Sequence, residues 1–310
     1  MVRMAHMVDI RARVDASLDG QPAWIGTISG AAAMVFVGGS VAVSSLLGGA
    51  PMFTTQSIRY AIACALLLVL ARVSGRELTM PHRGEWLWLL GVTVTGLVLF
   101  NVALVRGGQH AEPAVFGVAV ACVPVLLAVV GPLVEGRRPK RSTLIAALIV
   151  TLGAGLVEGL GRSDGVGLMW AVVVFACEAG FTLLALPVLP GQGPWGVSVH
   201  STWLAAVIFG VLGLVREGPT AVIRLTGGDL VAIGYLAVAV TAIAFLLWYF
   251  SVGRLGAGRA GLLTGVAPAA AATIGVAVGR PLPGPLVWVG IAVVALGLVL
   301  GLSGGRRPAT

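Results

Sequence analysis

The sequence predicts an all-α polytopic membrane protein: ten transmembrane helices in two inverted five-helix repeats, with both termini cytoplasmic. Three observations carry that prediction. First, 58% of the 310 residues are apolar and only 10% are charged, where a soluble domain carries roughly 25% charged residues. So few charges cannot cover a water-exposed surface, which excludes an ordinary soluble enzyme. Mean hydropathy is +1.01, and 45 glycines supply the small surfaces over which membrane helices approach one another. Second, basic residues collect in alternate gaps between the apolar runs. Third, the chain aligns with itself at an offset of 144 residues.

A helix needs about 20 mostly apolar residues to cross the hydrocarbon core. Residues 1–22 precede the first such run and form a cytoplasmic tail. They mix Arg3, Arg11 and Arg13 with Asp9, Asp15 and Asp19, unlike a cleavable signal peptide. Met7, Ile10, Val14 and Leu18 share one helical face, so a surface-lying amphipathic helix and an unstructured tail both stay open. The spans follow at Trp24–Leu47, Phe53–Ala71, Trp86–Val105, Ala114–Val134 and Ser142–Leu160, completing a first repeat over 23–160. A second repeat over 161–303 holds Gly165–Leu186, Gly196–Val215, Leu230–Phe250, Ala260–Val278 and Leu286–Leu302. Residues 304–310 form a cytoplasmic tail. Turn formers fill the gaps, as in Gly48-Gly49-Ala50-Pro51 and Pro187–Pro194. Trp24, Trp86, Trp88, Trp195 and Trp288 sit at span ends, as interfacial aromatics do.

With ten spans and a cytoplasmic N-terminus, the inner segments hold fourteen basic residues: Arg3, Arg11, Arg13, Arg72, Arg76, Arg83, Arg137, Arg138, Lys140, Arg141, Arg254, Arg259, Arg306 and Arg307. The outer segments hold five, namely Arg106, Arg162, Arg216, Arg224 and Arg280. That asymmetry supports both the span count and the orientation. It also accounts for the net charge of +8 without a nucleic-acid partner. Cys64, Cys122 and Cys177 fall within spans without CxxC spacing, and the four histidines show no metal-ligand spacing, so no metal and no other cofactor is expected.

The 144-residue offset pairs Gly117 with Gly261, Pro124 with Pro268, Gly131 with Gly275, Pro139 with Pro283, Gly153 with Gly297 and Leu156 with Leu300. No gap is needed across two spans and their loop. A weaker extension pairs Gln56 with His200 and Ser57 with Ser201. Five spans per copy is an odd number, so the second copy enters the membrane from the opposite side, a common design in carriers with a midplane site.

Two spans joined by a short loop, a mid-span proline, the run Gly131-Pro-Leu-Val-Glu135-Gly-Arg-Arg-Pro-Lys-Arg141 and a helix with Gly153-Ala-Gly155 are similar to the EamA domain of the drug/metabolite transporter superfamily. A second copy runs from Gly258 through Pro268 to Gly297, and Gln56-Ser-Ile-Arg59-Tyr in the second span fits the same pattern. The resemblance covers about residues 23–303. It implies a central cavity and export of amino acids or other small metabolites. One departure is visible: Glu135 follows the fourth span, but its counterpart in the second copy is Gly279.

Ionisable groups within spans are costly and face the bundle interior or an aqueous cavity. Glu178, about 13 residues into the sixth span, qualifies as a proton carrier or a counter-charge for a cationic substrate group. A neutral acid bonded to a neighbouring helix is the plainer reading. Arg59, about seven residues or roughly 10 Å into the second span, can hold a substrate carboxylate in bidentate fashion, or snorkel towards headgroups. Asn101, Thr182, Thr241, Trp248 and Tyr249, with Ser40 and Thr95, are polar or aromatic mid-span positions available to line a cavity or to pack helices. Pro124 and Pro268 break backbone bonding in mid-span, either for gating or for packing alone. Gln56 and His200 are candidate gating residues through their pairing, with an interfacial histidine as the alternative. Glu135 reads as a loop ion pair with the adjacent basic residues or as a cytoplasmic gate latch. Glu158 lies near the outer end of the fifth span.

Gly26xxxGly30, Gly261xxxGly265 and Gly297xxxGly301 are helix-packing surfaces, and no Walker A sequence is present. No catalytic residue is nominated. The expected protein is therefore a non-enzymatic secondary transporter of the bacterial inner membrane. It would export amino acids or related compounds, drugs included, by alternating access, as a monomer or homodimer whose partners are its small-molecule substrate and the lipid bilayer. A membrane-embedded enzyme acting on lipid-linked substrates, or a non-transporting membrane partner or sensor, are the alternatives.

Overall fold

The computed structural model describes residues 22–303, apart from the side chains of Val41, Ser44 and Ser45. The amphipathic-helix expectation for Met7, Ile10, Val14 and Leu18 lies outside the described residues. Ten helices build the fold: α1 (Ala23–Gly39), α2 (Met52–Val73), α3 (Arg83–Gly107), α4 (Pro113–Val134), α5 (Arg141–Glu158), α6 (Gly165–Leu183), α7 (Leu189–Arg216), α8 (Gly227–Leu255), α9 (Ala257–Ala277) and α10 (Pro285–Ser303). Among the described residues, α2 to α10 are each long and apolar enough to cross a membrane, and α1 is a shorter apolar helix of 17 residues. The chain is a polytopic membrane protein.

Large apolar side chains sit on the outside of the bundle. Leu148 and Leu152 on α5, Val207 and Val211 on α7, and Leu296 and Val299 on α10 are all exposed, as hydrocarbon contact requires. We call the end of the bundle that holds Pro22 and Ser303 the tail end, and the opposite one the far end. Links such as Gly26 against Leu255 and Gly253 against Leu189 tie the tail end together.

Helix pairing repeats when the first five helices are exchanged for the last five. Helix α2 packs on α7 and α5 on α10, while α1 lies against α8 and α9 as α6 lies against α3 and α4. The α5–α10 crossing is reciprocal in detail. A Cβ on Gly153 would lie 2.7 Å from the Val294 nitrogen, and one on Gly297 would lie 3.0 Å from the Val150 nitrogen. The two glycines are repeat mates and so are the two valines they meet, the signature of a twofold contact.

Local irregularities recur at the same offset. Two π-helical turns, Thr93–Leu99 in α3 and Leu236–Ile243 in α8, occupy matching places. Glu85 accepts the His82 backbone N–H at the start of α3, and Asp229 accepts that of Thr226 at the start of α8, each at 2.8 Å. Helix α4 opens at Cys122 before Pro124, and α9 tightens to a 3₁₀ turn over Leu263–Gly265 before Pro268. Proline has no N–H for the preceding turn, so both breaks have the same cause.

Several boundaries differ from the sequence expectation. The first span stops at Gly39 rather than Leu47. The Tyr235 hydroxyl donates to the Phe36 carbonyl at 2.9 Å, and the Ser40 N–H turns to Val37 instead. The loop expected before the ninth span shrinks to Gly256, whose φ of +77° reverses the chain in one residue. Helix α7 begins at Leu189, within the expected loop, and turns sharply at Gly193 with φ +62°. The α4–α5 and α9–α10 loops are out of step by one residue: Glu135 caps α4 where Val278 caps α9. Neither alignment supplies a second acid.

Candidate functional site

Several of the polar side chains that the bundle buries form a column along α8. Thr241 lies within the π turn of α8. Its hydroxyl donates to the Leu236 carbonyl five residues back, at 2.8 Å, a reach that the wide turn provides. The same oxygen accepts from Arg59 Nε at 2.9 Å. Arg59 Nη1 donates to Gln56 Oε1 at 3.3 Å, and Gln56 Nε2 donates to Asn101 Oδ1 at 3.0 Å. Asn101 Nδ2 in turn donates to the Leu97 carbonyl in the π turn of α3 and to the Tyr60 hydroxyl at 3.1 Å. Four nominated residues from α2, α3 and α8 therefore join one hydrogen-bonded chain.

Arg59 is only 8% exposed. The acceptors it meets are neutral oxygens, and its guanidinium carbon lies over the Tyr60 ring, 5.0 Å from the centroid. It forms no ion pair with a carboxylate among the described residues. An arginine inside a bilayer costs about 2.5–3.5 kcal/mol on insertion scales, and no carboxylate among the described residues offsets that cost at Arg59.

Farther along α8, Phe245, Trp248 and Tyr249 follow Thr241 on one face. Phe245 and Phe181 of α6 lie with ring centroids 4.9 Å apart, and Phe181 and Tyr249 5.1 Å apart. Trp248 Nε1 donates to Thr182 Oγ1 at 3.1 Å, and the Tyr249 hydroxyl donates to the Phe181 carbonyl at 3.2 Å. Phe181 and Phe245 touch both halves of the column, packing on Tyr60 and Leu97 as well as on the Trp248–Tyr249 side. Glu178 stands one turn before Phe181 and Thr182. It is close enough to the Tyr249 phenol for an electrostatic interaction, and its carboxylate meets no hydrogen-bond donor or cation among the described residues. Its helix neighbours Val174 and Thr182 are buried, and Glu178 itself is half-buried.

Other nominated residues lie outside the column. The broken turns at Pro124 and Pro268 flank it: Val123 and Leu127 pack on Ala179 and Phe175 of α6, and Ala260 and Leu263 join the Trp248–Tyr249 cluster. His200 is buried near the tail end. It is placed to donate through Nε2 to the Thr79 carbonyl at 3.3 Å and to accept at Nδ1 from Trp203, with the Trp86 ring edge-on at 5.5 Å. It does not meet Gln56. Glu135 pairs with Arg137 and accepts the Ala257 backbone N–H at 2.9 Å, so a loop of the first five helices caps α9 of the last five. A Cβ on Gly256 would meet that same ion pair.

Three contributors were not nominated from sequence. Tyr60, Phe181 and Phe245 are aromatic residues in apolar runs, and nothing in their spacing separates a cavity wall from a lipid face. Glu217 was also missed. From the end of α7 its carboxylate accepts the Phe53 and Thr54 backbone N–H groups, each at 2.8 Å, and the Thr54 hydroxyl at 2.7 Å. Pro51, which precedes α2, has no capping side chain, so the open N-terminus was a signal for a partner from elsewhere. A cleft of about 230 Å³ runs beside this clasp, lined by Thr54, Ser57, Gly210 and Gly213.

The chain is similar to known proteins over most of its length. The chain is 28% identical over 290 residues to "Uncharacterized transporter YetK" of Bacillus subtilis (strain 168), covering 91% of this chain and 88% of that one. It is 25% identical over 248 residues to "Uncharacterized transporter YwfM" of the same organism, covering 78% and 82%. A solved crystal structure superposes with a TM-score of 0.76 at 18% identity, covering 91% of this chain and 99% of that one, a likeness of fold. A family model matches twice, over residues 24–158 and 165–303, one match for each set of five helices. The chain belongs to the EamA-like transporter family.

Proposed function

We propose that this membrane transporter is a secondary carrier that exports small metabolites, amino acids or related compounds and drugs among them, from the cytoplasm across a bacterial inner membrane by alternating access. The observation that carries the reading is a reciprocal α5–α10 crossing together with a column that holds Arg59 and Glu178 without an ion-pair partner among the described residues. A bundle whose halves pack alike can exchange two arrangements of similar energy around one site. The tail end faces the cytoplasm in this reading, in accord with the fourteen-to-five distribution of basic residues. Arg59, Gln56, Asn101 and Thr241 contact the substrate, with Thr182, Trp248 and Tyr249 behind the aromatic layer and Glu178 as the coupling group. Pro124 and Pro268 supply the hinges, with Gln56, His200 and Glu135 at the gates. The working unit is a monomer or a homodimer.

The test is efflux from proteoliposomes loaded with a mixed metabolite panel, half of them under an imposed pH gradient, with released compounds read by mass spectrometry. Selective release of one compound class is expected. Release equal to that of protein-free vesicles across a widened panel would favour the membrane-enzyme or partner alternatives.

A further inference from the structure

We infer that the occupant of the column is an amphipathic organic monoanion, a carboxylate held by Arg59 with its apolar body against Phe181 and Phe245; this rests on the carrier reading above. The neutral chain around Arg59 orients the guanidinium without neutralising it. Asn101 fixes the Gln56 amide, which turns its oxygen to Nη1, while Thr241 takes Nε. Two of the five guanidinium N–H donors are thereby assigned, and Nη2 makes no hydrogen bond among the described residues. A carboxylate matches such a fork by parallel N–H···O contacts.

Charge number selects within the anions. The other arginines and the lysine of the described residues lie at helix ends and in loops. One cation therefore faces the ligand, which suits a singly charged carboxylate better than a phosphate monoester. Glu178 stands beyond the aromatic layer, so a dicarboxylate long enough to cross that layer would bring its second charge towards a like charge. The body is specified by exposure: Phe181 and Phe245 are half-buried, whereas Tyr60, Phe209 and Tyr249 around them are fully buried. The two rings are therefore the accessible aromatic surface of the column.

The experiment uses six probes: phenylacetate, 4-methylpentanoate, succinate, phenethylamine, 2-phenylethanol and phenyl phosphate. Each is loaded into proteoliposomes for efflux, and each is added to the full-length protein in detergent for thermal unfolding. Phenylacetate and 4-methylpentanoate are expected to be released and to raise the unfolding temperature. Arg59→Gln is expected to lower release of both by about tenfold or more and to remove the thermal shift, while Arg59→Lys keeps part of each. Phe245→Ala, which leaves the guanidinium chain intact, should weaken phenylacetate more than succinate. Equal release of the amine or the alcohol, or wild-type behaviour of a folded Arg59→Gln protein, overturns the inference. If no probe is released, the carrier reading fails for these compounds and thermal shifts decide: stabilisation by the two monocarboxylates, lost in Arg59→Gln, upholds the anion site, and its absence overturns it. If Arg59→Gln does not fold, Arg59→Lys and Phe245→Ala carry the same comparison.

Discussion

Glu178 differs from Glu217, Glu135 and Glu85 in what its carboxylate lacks. Glu217 and Glu135 each accept backbone N–H groups, and Glu85 bridges His82 and Gln192. Glu178 lies near the Tyr249 phenol and the Cys177 thiol, and its carboxylate accepts no hydrogen bond among the described residues. Glu178→Gln therefore removes no hydrogen bond, and an amide is cheaper than a carboxylate inside the bilayer. The variant is expected to unfold at the wild-type temperature or above, and to transport at a rate indifferent to an imposed pH gradient. Efflux from proteoliposomes with and without the gradient checks this, and a variant that still responds removes Glu178 from the coupling role. The sequence pointed to Glu178, Arg59, Gln56, Asn101 and Thr241 for one physical reason: polar groups inside apolar spans need partners. It could not say which of them meet, because contacts such as Arg59 to Thr241 join helices 182 residues apart. Nor could it separate Phe181 and Phe245 from the lipid-facing aromatics.

The helices themselves were legible from hydropathy, and the proline breaks from Pro124 and Pro268, because both signals are local. The π turns were not. Leu236–Ile243 contains neither glycine nor proline, and the turn widens where the Thr241 hydroxyl takes the Leu236 carbonyl and receives Arg59. The one-residue elbow at Gly256 depends on Glu135 arriving from another loop. The far-end loops show the same dependence on tertiary contact. Glu112 binds the Arg162 side chain and exchanges backbone bonds with it, and Asp164 accepts from Gly167 while its other oxygen lies 2.9 Å from His110 Nδ1. The Arg162 side chain holds Glu112 below the usual carboxylate range, and the Gly167 N–H together with His110 does the same for Asp164. A carboxyl group with a depressed folded value stabilises the paired form above its unfolded value, and that contribution is lost as pH falls through the folded one. The two loops should therefore stay paired from pH 7 to 5 and separate only below about pH 4. Hydrogen exchange at Glu112 and Asp164, normalised to intrinsic rates, checks this. Arg162→Gln should release Glu112 at neutral pH, and protection lost already at pH 5 would show that the carboxylates do not hold the loops.

At the scale of the molecule, pairing repeats between the two sets of five helices, but the clasps that join them across each end do not. At the far end, Glu217 of α7 closes on the N-terminus of α2. At the tail end, Glu135 closes on the N-terminus of α9, and Gln192 donates to Glu85 at 2.8 Å. The repeat places Val73 opposite Glu217, and Gly279 or Val278 opposite Glu135, so neither carboxylate clasp has a copy at the other end. Each end can therefore be weakened alone. A hydrogen bond to a charged group contributes about 1.5–3 kcal/mol, enough to shift a two-state population roughly ten- to hundredfold. Glu217→Ala is expected to favour the arrangement open at the far end, and Glu135→Ala the one open at the tail end. Reporters on a background without Cys64, Cys122 and Cys177 read the two ends: Ser57→Cys in the far-end cleft and Ser198→Cys, fully buried on α7 towards the tail end. Labelling by a membrane-impermeant maleimide in sided vesicles should rise at residue 57 and fall at residue 198 in Glu217→Ala, with the opposite pattern in Glu135→Ala. Opposed changes are what rocking of one half against the other requires. A parallel rise at both sites would mean that removing a clasp merely loosens the bundle, and alternating access would lose its support from these contacts.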